Sequence, residues 1–286
     1  MTQPARGGRP RGDRNRNDRG RRRDRPAGGR AAAERRQSTR ESRDLGQQVE
    51  GRRAVRELLL AGTRRVHDVW LAAEAGSAAI VDEIVELAHD AHVEVRRVDT
   101  EQLARKARTD APQGVVAFAA PLAPVELDAV LGRPDCFGVA LDGVTDPQNL
   151  GAVLRSAEVL GATAAILPRH RAVGITPAVT KAAAGAIEHL PVAFVGGVPS
   201  ALEQARRAQV WCVGLDASGD QSVFDVAVAD QPIVLVLGAE GRGLSRLTRA
   251  RCDVVASIPM LGHVESLNVG AAAAIACAAI GRARAA

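Results

Sequence analysis

From residue 137 to residue 280, short apolar runs alternate with segments of helical periodicity, and this alternation restricts the fold most strongly. The runs have the length and composition of buried strands, and they cover 138–141, 164–167, 192–195, 210–215, 233–237 and 254–258. A repeated order of strand, helix and strand is typical of a parallel sheet with helices on its faces. The sequence therefore predicts an α/β domain at 121–286.

A second and smaller α/β unit is predicted at 47–120. Its expected elements are a helix at 51–59 ended by Gly62, a strand at 66–71, a helix at 78–91, a strand at 93–98, a short helix from Leu103 and a strand at 114–118. About 70 residues are enough for a unit that folds on its own. Pro121 and Pro124 then indicate a linker to the larger domain.

The charge of the chain is concentrated at its N-terminus. Residues 1–46 hold 15 arginines and six acidic residues, a net charge of +9, whereas residues 47–286 carry −4. The segment is rich in arginine and glycine and has almost nothing to bury, so a disordered basic tail is predicted. One hypothesis is that it attracts RNA phosphates without reading sequence. The alternative is a low-complexity extension with no specific role.

Several classes of site and location are disfavoured by composition. Aromatic residues make up only 2% of the chain, so platforms for base stacking are nearly absent. The four cysteines are far apart and form no pair with metal-ligand spacing, so we expect no metal and free thiols in a reducing, cytoplasmic setting. The longest uncharged run near the end, 267–280, is too short to span a bilayer, and the N-terminus has no apolar signal core.

Three loops of the larger domain follow predicted strands. The first, 142–149, leads into a helix for which Asn149 is the expected N-cap. Arg155 lies off the apolar face of that helix. It could be a surface residue paired with Glu158, or a cation held above a strand-end loop where α/β sites form.

The second loop, 238–244, holds three glycines in six residues, which allows a ligand to approach the backbone closely, although it matches neither a dinucleotide fingerprint nor a P-loop. The third begins where Pro259 ends a strand and runs to Ser266, the expected cap of the last helix. Each loop alone is compatible with an ordinary turn. Together they form the kind of edge at which α/β proteins bind nucleotide-like ligands.

These three stretches resemble the motifs of one enzyme family. LDGVTDPQNLGAVLRSA (141–157), LVLGAEGRGL (235–244) and IPMLGHVESLNVG (258–270) are similar to the three motifs of the SpoU (TrmH-type) RNA 2′-O-ribose methyltransferases of the SPOUT class. Residues 49–120 resemble the family's small RNA-binding domain, with GRRAVRELL near its start and QGVVA at its end. The pair of domains is most similar to bacterial enzymes that methylate a guanosine ribose in 23S ribosomal RNA.

Other functions remain open beside this one. The chain could be a tRNA 2′-O-methyltransferase, or a resistance methylase acting on a ribosomal adenosine. It could also be a non-catalytic RNA-binding protein of ribosome assembly that kept the fold.

The resemblance implies a fold, a cofactor and a partner. In the family the C-terminal helix threads through a loop and makes a trefoil knot, which binds S-adenosylmethionine mainly through backbone groups. By motif position these groups belong to Gly238, Ile258 and Leu267. The resemblance also implies a homodimer through the knotted domain, in which the partner completes the site, and ribosomal RNA as the substrate partner.

The resemblance also implies the catalytic residues, which are Asn149, Arg155, Glu240, Ser266 and Asn268. The family assigns deprotonation of the ribose hydroxyl to the motif-one arginine. Arginine side chains lose a proton only above about pH 12, which makes them poor bases. We therefore interpret Arg155 as a cation that binds the adjacent phosphate and stabilises developing oxyanion charge. Two positions depart from the family pattern, Pro112, where relatives often carry histidine, and Gly270, where many carry serine, and neither is a proposed reacting group.

Overall fold

The computed structural model describes residues 47–76, 78–170, 173–263 and 266–285. The predicted disordered tail at 1–46 lies outside the described residues. The described part contains two β-sheets, and both belong to one compact unit.

The first sheet has four strands and is built from residues 48–119. Its elements are β1 (Gln48–Glu50), α1 (Arg52–Ala61), β2 (Val66–Ala72), α2 (Ala79–Asp90), β3 (Glu94–Val98), α3 (Thr100–Lys106) and β4 (Val115–Ala119). The strand order is β1-β4-β2-β3, in which β2 and β3 are parallel and the other two pairs are antiparallel. Leu58 of α1, Leu71 of β2 and Ile84 of α2 are fully buried in one apolar core between helices and sheet.

The helix ends of this unit follow from local chemistry. Gly62 adopts a left-handed conformation and ends α1, as expected. Helix α3 begins at Thr100 and not at Leu103, because the side chain of Asp99 accepts a hydrogen bond from the amide of Gln102 and caps the helix there. The prediction for this helix start was therefore wrong by one turn.

The second sheet has seven strands, and every pairing in it is parallel, as predicted. The strand order is β7-β6-β5-β10-β8-β11-β9. The elements are α4 (Leu127–Leu131), β5 (Phe137–Asp142), α5 (Pro147–Val159), β6 (Ala164–Pro168), α6 (Pro177–Ala182), β7 (Val192–Val195), α7 (Val198–Arg207), β8 (Trp211–Leu215), β9 (Gln221–Ser222), β10 (Ile233–Gly238), α8 (Arg246–Arg249), β11 (Val254–Ser257) and α9 (Val269–Arg284).

Both faces of this sheet are covered by helices. Phe137, Val139 and Leu141 of β5 belong to one buried cluster, which also contains residues of α5, α6 and α9. Ala140 of the same strand belongs to the opposite cluster, with residues of α4 and α7. Side chains alternate between the two faces of a strand, so a strand that is apolar on both faces is buried between two helical layers.

The helix predicted at 176–189 is interrupted. It consists of α6 and a separate 3₁₀ turn at Ala186–Glu188, because Ala184 and Gly185 have positive φ angles of 52° and 92°. Glycine is required at 185, since a Cβ atom there would lie 2.3 Å from the Cβ atom of Glu57 in α1. The break therefore allows the large-sheet part of the chain to pack closely against α1.

A buried ion pair also joins the two parts of the chain. The guanidinium of Arg64 donates to both carboxylate oxygens of Glu188, with distances of 2.8 Å from Nε and 2.6 Å from Nη2. The two side chains are only 5% and 0% exposed. Arg64 also donates to the carbonyl oxygen of Ala120 at 2.8 Å. This two-point geometry ties the segment after α1 to the turn that follows α6.

We expect Glu188→Ala to destabilise the protein by about 3–5 kcal/mol, because it leaves a buried guanidinium without its carboxylate. Equilibrium unfolding in urea measures this change. Glu101→Ala is the matched control, since Glu101 pairs with Arg105 one turn away on an exposed surface, with side chains 82% and 62% exposed. Such exposed pairs contribute about 0.5 kcal/mol or less. Equal unfolding free energies for the two variants would contradict the role of the buried pair.

The last helix is held at both ends. Its C-terminal residue Arg284 donates hydrogen bonds to the carbonyl oxygens of Gln231 at 2.6 Å and Asp135 at 2.9 Å. Both acceptors precede strands of the large sheet. Along its length, α9 packs against α5 through buried small residues such as Ala273 and Ala276. Helix α9 is therefore fixed relative to the sheet at its far end as well as at its start.

The cysteines are reduced, and their thiols are weakly acidic. Cys136, Cys212 and Cys277 are buried, and Cys252 is half-buried. Burial raises the pKa of the Cys252 and Cys277 thiols to about 12 in each case. These thiols are therefore protonated at neutral pH and are poor nucleophiles.

The described part of the chain contains no group of three or more histidine, cysteine or acidic side chains that could hold a metal ion. Among the same residues, every helix is too short or too polar to cross a lipid bilayer.

Candidate functional site

The loops that follow β8, β10 and β11 surround a cavity at one edge of the seven-stranded sheet. Parallel strands have their carboxyl ends at the same edge, and this is where α/β proteins bind ligands. The cavity, here called the strand-end cavity, has a volume of about 180 Å³. It is lined by Leu215, Asp216, Ala217, Leu237, Gly238, Ala239, Glu240, Gly241, Gly243, Ile258, Met260, Ser266, Leu267, Val269 and Ala272. Five of the predicted site residues therefore lie around one space, namely Gly238, Glu240, Ile258, Ser266 and Leu267.

The second predicted loop is a tight hairpin that begins at Gly238. The amide of Gly243 donates a hydrogen bond to the carbonyl oxygen of Ala239 at 2.9 Å, so the chain turns back between these residues. A Cβ atom on Gly238 would lie 2.1 Å from the carbonyl carbon of Gly243, far inside van der Waals contact. Only glycine permits this approach, which leaves the cavity wall made of backbone at this position.

Asp216 also lines the cavity, although sequence reasoning missed it. Its Oδ1 atom accepts hydrogen bonds from the amide and hydroxyl of Ser218 at 3.0 and 2.6 Å, and it lies 3.0 Å from the guanidinium of Arg249. Its Oδ2 atom lies 3.5 Å from the amide nitrogen of Leu244. Partial burial opposes ionisation, but the hydrogen bonds from Ser218 and Leu244 and the charge of Arg249 outweigh it and lower the pKa of Asp216. The carboxylate thus connects the loop after β8 to the glycine loop after β10.

The signal that could have identified Asp216 was its position. It follows the strand predicted at 210–215 directly, as the first residue of a loop at the same sheet edge as the three recognised loops.

Three polar side chains from the three recognised loops form one hydrogen-bonded cluster. The Nδ2 atom of Asn149 donates to Oε2 of Glu240 at 3.0 Å, and Nδ2 of Asn268 donates to Oδ1 of Asn149 at 2.7 Å. Asn268 Nδ2 is also 3.5 Å from the same Glu240 oxygen. Glu240 borders the strand-end cavity, and Asn149 and Glu240 both border a neighbouring open cavity of about 700 Å³. The amide–carboxylate cluster therefore lies at the entrance to the strand-end cavity.

The N-cap residues of helices α5 and α9 differ from the predictions. Helix α5 is capped by Asp146, whose carboxylate accepts a hydrogen bond from the amide of Asn149 at 2.8 Å. Pro147 occupies the first helical position, where its fixed φ angle is favourable. Helix α9 is capped by Asn268, and not by Ser266, through a 2.8 Å bond from the amide two residues later. Asn149 and Ser266 are thereby released from capping, and Ser266 lines the cavity instead.

Arg155 is not brought together with the other predicted catalytic residues. It is exposed on α5, six residues after Asn149, and six residues of an α-helix correspond to a rotation of about 240°. Among the described residues, no hydrogen bond or ion pair joins Arg155 to Asn149, Glu240, Asn268 or Glu158. It borders a different cavity, whose other charged lining residues are Arg53, Arg56, Glu57, Glu158 and His189. Within one chain the structure therefore brings together Asn149, Glu240 and Asn268, but not Arg155.

The geometry suits a nucleotide-like ligand that carries a positive centre. The strand-end cavity has apolar walls, such as Leu237, Ile258 and Val269, and a backbone wall at Gly238. Two carboxylates, Asp216 and Glu240, border it. At its entrance, amide and carboxylate oxygens can accept hydrogen bonds from hydroxyl groups of a second ligand.

Two family models match the chain. The model described as the SpoU rRNA Methylase family matches residues 137–278. The model described as RNA 2′-O ribose methyltransferase substrate binding matches residues 48–125. The first range contains all three recognised loops, and the second contains the four-stranded sheet.

Relatives with assigned names are similar over most of their length. A protein of Ralstonia nicotianae named 23S rRNA (guanosine-2′-O-)-methyltransferase RlmB is 40% identical over 232 residues, which covers 79% of this chain and 91% of the relative. A protein of Pseudomonas putida with the same name is 35% identical over 234 residues, covering 80% and 93%. The crystal structure of the SpoU methyltransferase AviRb from Streptomyces viridochromogenes with its cofactor AdoMet superposes with a TM-score of 0.69 at 30% identity, covering 83% of this chain and 90% of that one.

Proposed function

This chain belongs to the SpoU rRNA methylase family and is an RNA 2′-O-ribose methyltransferase that uses S-adenosylmethionine, and from this premise we propose that it methylates a guanosine in 23S ribosomal RNA. The observation that carries the proposal is the name of the relatives that are 35% and 40% identical, which specifies a 23S guanosine ribose. The match of residues 48–125 to a substrate-binding model supports RNA as the partner.

The deciding experiment is a map of ribose methylation in a strain that lacks this protein. We expect one guanosine of 23S ribosomal RNA to lose its 2′-O-methyl group, and a plasmid copy of the gene should restore it. Loss of a methyl group from transfer RNA, with 23S RNA unchanged, would contradict the proposed substrate.

We propose that the strand-end cavity holds the cofactor, with backbone groups of Gly238, Ile258 and Leu267 as its contacts. When bound, S-adenosylmethionine supplies a methyl group on a positively charged sulfur. The apolar walls suit an adenine ring, and the nearby carboxylates Asp216 and Glu240 suit a cation. The close approach at Gly238 leaves room for a ligand against the backbone.

We propose that the polar cluster at the cavity entrance orients the target ribose. The carboxylate of Glu240 and the amide of Asn149 are held by hydrogen bonds, so their free lone pairs have fixed directions. Fixed acceptors position a hydroxyl for attack at little cost in entropy. Ser266, which lines the cavity beside them, and Asn268, which also caps α9, have the same role in this proposal.

Asp216 is expected to support cofactor binding by holding the glycine loop. Asp216→Ala should weaken S-adenosylmethionine binding by about tenfold or more, because hydrogen bonds to a charged group contribute about 1.5–3 kcal/mol. Titration calorimetry measures the change, with the exposed Asp220→Ala as control. Since the pKa of Asp216 is lowered in the folded protein, this contribution is present at neutral pH and is lost only as the pH falls through that lowered value. Equal cofactor affinities in the two variants would remove Asp216 from the account.

We propose a homodimer in which the partner subunit supplies the missing cation. Arg155 borders a cavity that shares no lining residue with the strand-end cavity of its own chain. A second copy that brings its own arginine to the site would complete it. Sedimentation should give a dimer at micromolar protein concentration. A fully active monomer would contradict the proposal.

We propose that the last helix is threaded through a loop, as in the trefoil knot of the family. The support is that α9 packs against α5 on one face of the sheet while its first turn borders the strand-end cavity beside the β10 loop. An experimental structure tests this through the path of its backbone. A path in which α9 passes through no loop of the preceding chain would contradict a knot.

We propose three segments, with a basic segment at 1–46, a substrate-binding domain at 47–120 and a methyltransferase domain at 121–286. The boundary at residue 120 is supported by the end of the smaller sheet at β4. The next element, α4, packs on the larger sheet. The fragment 121–286 carrying Glu188→Gln, which removes the buried carboxylate that would otherwise lose Arg64, should bind S-adenosylmethionine as the full chain does. A fragment that is unfolded would contradict this boundary.

Deleting residues 1–46 should lower RNA affinity and flatten its dependence on salt, because the segment carries a net charge of +9 on a body of −4. The affinity for S-adenosylmethionine should not change. Filter binding over a range of potassium chloride concentrations measures both the affinity and the salt slope. Identical slopes with and without the segment would refute its role in RNA attraction.

We propose a cytoplasmic location, since the proposed substrate is ribosomal RNA and the cysteines are free thiols. Cell fractionation tests this. Recovery of the protein in the membrane or outside the cell would contradict it.

A further inference from the structure

A cavity of about 760 Å³ lies between the four-stranded and the seven-stranded sheets, and it is called here the junction cleft. Four of its lining side chains are cations, Arg52, Arg53, Arg155 and Lys181, and among the described residues none that lines it is acidic. The body of the chain, residues 47–286, has a net charge of −4. The charged residues that line this cleft are all cations, although the body has a net negative charge. Such a cleft is an electrostatic site for an anion, because clefts focus the field of the charges that line them.

Two of the four cations form a rigid rim. Arg52 donates from Nε to the carbonyl oxygen of Gln113 at 3.0 Å and from Nη2 to that of Ala75 at 3.0 Å. Lys181 donates from Nζ to the carbonyl oxygen of Ala111. All these acceptors are neutral, so the hydrogen bonds fix the two side chains without cancelling their charges.

The other two cations are available to a ligand. Arg53 and Arg155 are exposed, and within the described part of the chain neither makes a hydrogen bond or an ion pair. Both also border the adjoining cavity of about 510 Å³, whose acidic lining residues are Glu57 and Glu158. Glu57 is already paired, with Arg56 at 2.6 Å and with His189 at 3.0 Å.

The position of Arg53 is unfavourable for stability, which indicates another role. Arg52 and Arg53 occupy the first turn of α1, and this turn contains no acidic residue. The N-terminus of a helix carries a partial positive charge, so arginines there are repelled. Residues that break a local rule without a structural benefit are expected at functional sites.

The chemistry of the cleft favours a phosphate chain over single bases. No aromatic residue lines it, so bases have no stacking platform. Arginine and lysine are the side chains that contact nucleic-acid phosphates. The cleft joins the part that matches a substrate-binding model to the part that matches the methylase model, so a strand bound to both must pass it.

We propose that the junction cleft binds the phosphodiester backbone of the substrate RNA beside the target nucleotide, with Arg53 and Lys181 contacting phosphates that Arg155 alone does not reach. This proposal rests on the proposed function and deepens it. The contact is independent of base sequence. Arg53 acts there in binding and not in chemistry, unlike Arg155, so its loss should lower RNA affinity and leave the rate at saturating RNA unchanged.

The test compares Arg53→Gln with Arg53→Lys and with Arg207→Gln. Arg207 is exposed on α7, which packs on the opposite face of the large sheet from α5. The substitution Arg207→Gln therefore removes the same charge at a position away from the cleft. The probe is unmodified 23S ribosomal RNA made by transcription, bound on filters over about a fourfold range of potassium chloride. Arg53→Gln should reduce the slope of log affinity against log salt by about 0.7–0.9, the value for one lost phosphate contact. Arg53→Lys should keep the wild-type slope.

Thermal unfolding and single-turnover methyl transfer at saturating RNA complete the design. The midpoint of Arg53→Gln should not fall, because a repelled charge leaves the first turn of α1. If the slopes of Arg53→Gln and Arg207→Gln are equal, the cleft proposal is wrong. If the wild type transfers no methyl group to this RNA, the proposed substrate is wrong, whereas a slope change confined to Arg53→Gln would still support the cleft as an RNA site.

Discussion

Arg155→Ala lowers the single-turnover rate of methyl transfer by about 10²–10³, the effect of removing one preorganised electrostatic group from a transition state. Its affinity for S-adenosylmethionine stays at the wild-type value, because Arg155 borders neither the strand-end cavity nor its glycine loop. Folding is also unchanged, since the side chain is exposed. The measurement is a single-turnover assay, in which enzyme in excess over RNA is mixed rapidly with labelled S-adenosylmethionine.

The controls separate charge from geometry. Arg155→Lys keeps the charge and loses the planar fork, and we expect it to restore little of the rate. Arg207→Ala removes an exposed arginine from α7 and should react as the wild type does. A surface ion pair with Glu158 would give a different result, with a loss of at most about 1 kcal/mol of stability and no loss of rate. A near-normal rate in Arg155→Ala would remove this residue from the catalytic set.

Gly238→Ala weakens S-adenosylmethionine binding by about 10–100-fold. The new Cβ atom would lie 2.1 Å from backbone atoms of Gly243, so the hairpin between these residues must open. Overpacking of this kind typically costs about 1–3 kcal/mol, and 1.4 kcal/mol corresponds to a factor of ten. Titration calorimetry of the cofactor, with circular dichroism as a check on the fold, measures the loss.

Gly196→Ala is the matched control for this substitution. A Cβ atom at 196 has no neighbour within 4 Å, and the residue does not need a positive φ angle. It should bind the cofactor as the wild type does. Equal cofactor affinities in Gly238→Ala and Gly196→Ala would contradict the assignment of the glycine loop to the cofactor site.

These two variants also test whether the site is shared between subunits. In a mixed dimer, one subunit carries Arg155→Ala and an intact cofactor cavity, and the other carries Gly238→Ala and an intact Arg155. If the arginine acts across the interface, one of the two sites has both parts, and methyl transfer should recover toward half of the wild-type rate. If the arginine acts within its own chain, neither site is complete. Co-expression with two different tags isolates the mixed dimer, and no recovery would contradict a shared site.

The architecture could be predicted because it follows from periodicity. The apolar run at 233–237 is observed as Ile233–Gly238, and all strand pairings of the large sheet are parallel. The predicted starts of helices were less accurate where more than one side chain could cap the helix. Asp146 caps α5 in place of Asn149, and Asn268 caps α9 in place of Ser266. In both cases several polar residues precede the helix, and tertiary contacts decide which of them turns inward.

Long-range contacts were the part of the candidate site that sequence reasoning could not supply. Asp216 binds partners up to 33 residues away, at Arg249, and its loop contains none of the recognised motifs. The break at Gly185 depends on Glu57, which belongs to the other sheet's part of the chain. The separation of Arg155 from the amide–carboxylate cluster depends on the direction of each side chain around α5. None of these relations is encoded in local spacing.

The most direct test of the account is the chemical identity of the methylated product. Purified protein is incubated with labelled S-adenosylmethionine and unmodified 23S ribosomal RNA, and the RNA is then digested to nucleosides and separated by mass. The predicted product is 2′-O-methylguanosine, formed at one position, and Arg155→Ala should form it about 10²–10³ times more slowly. A methyl group on a base, or no incorporation by the wild-type protein, would contradict the account.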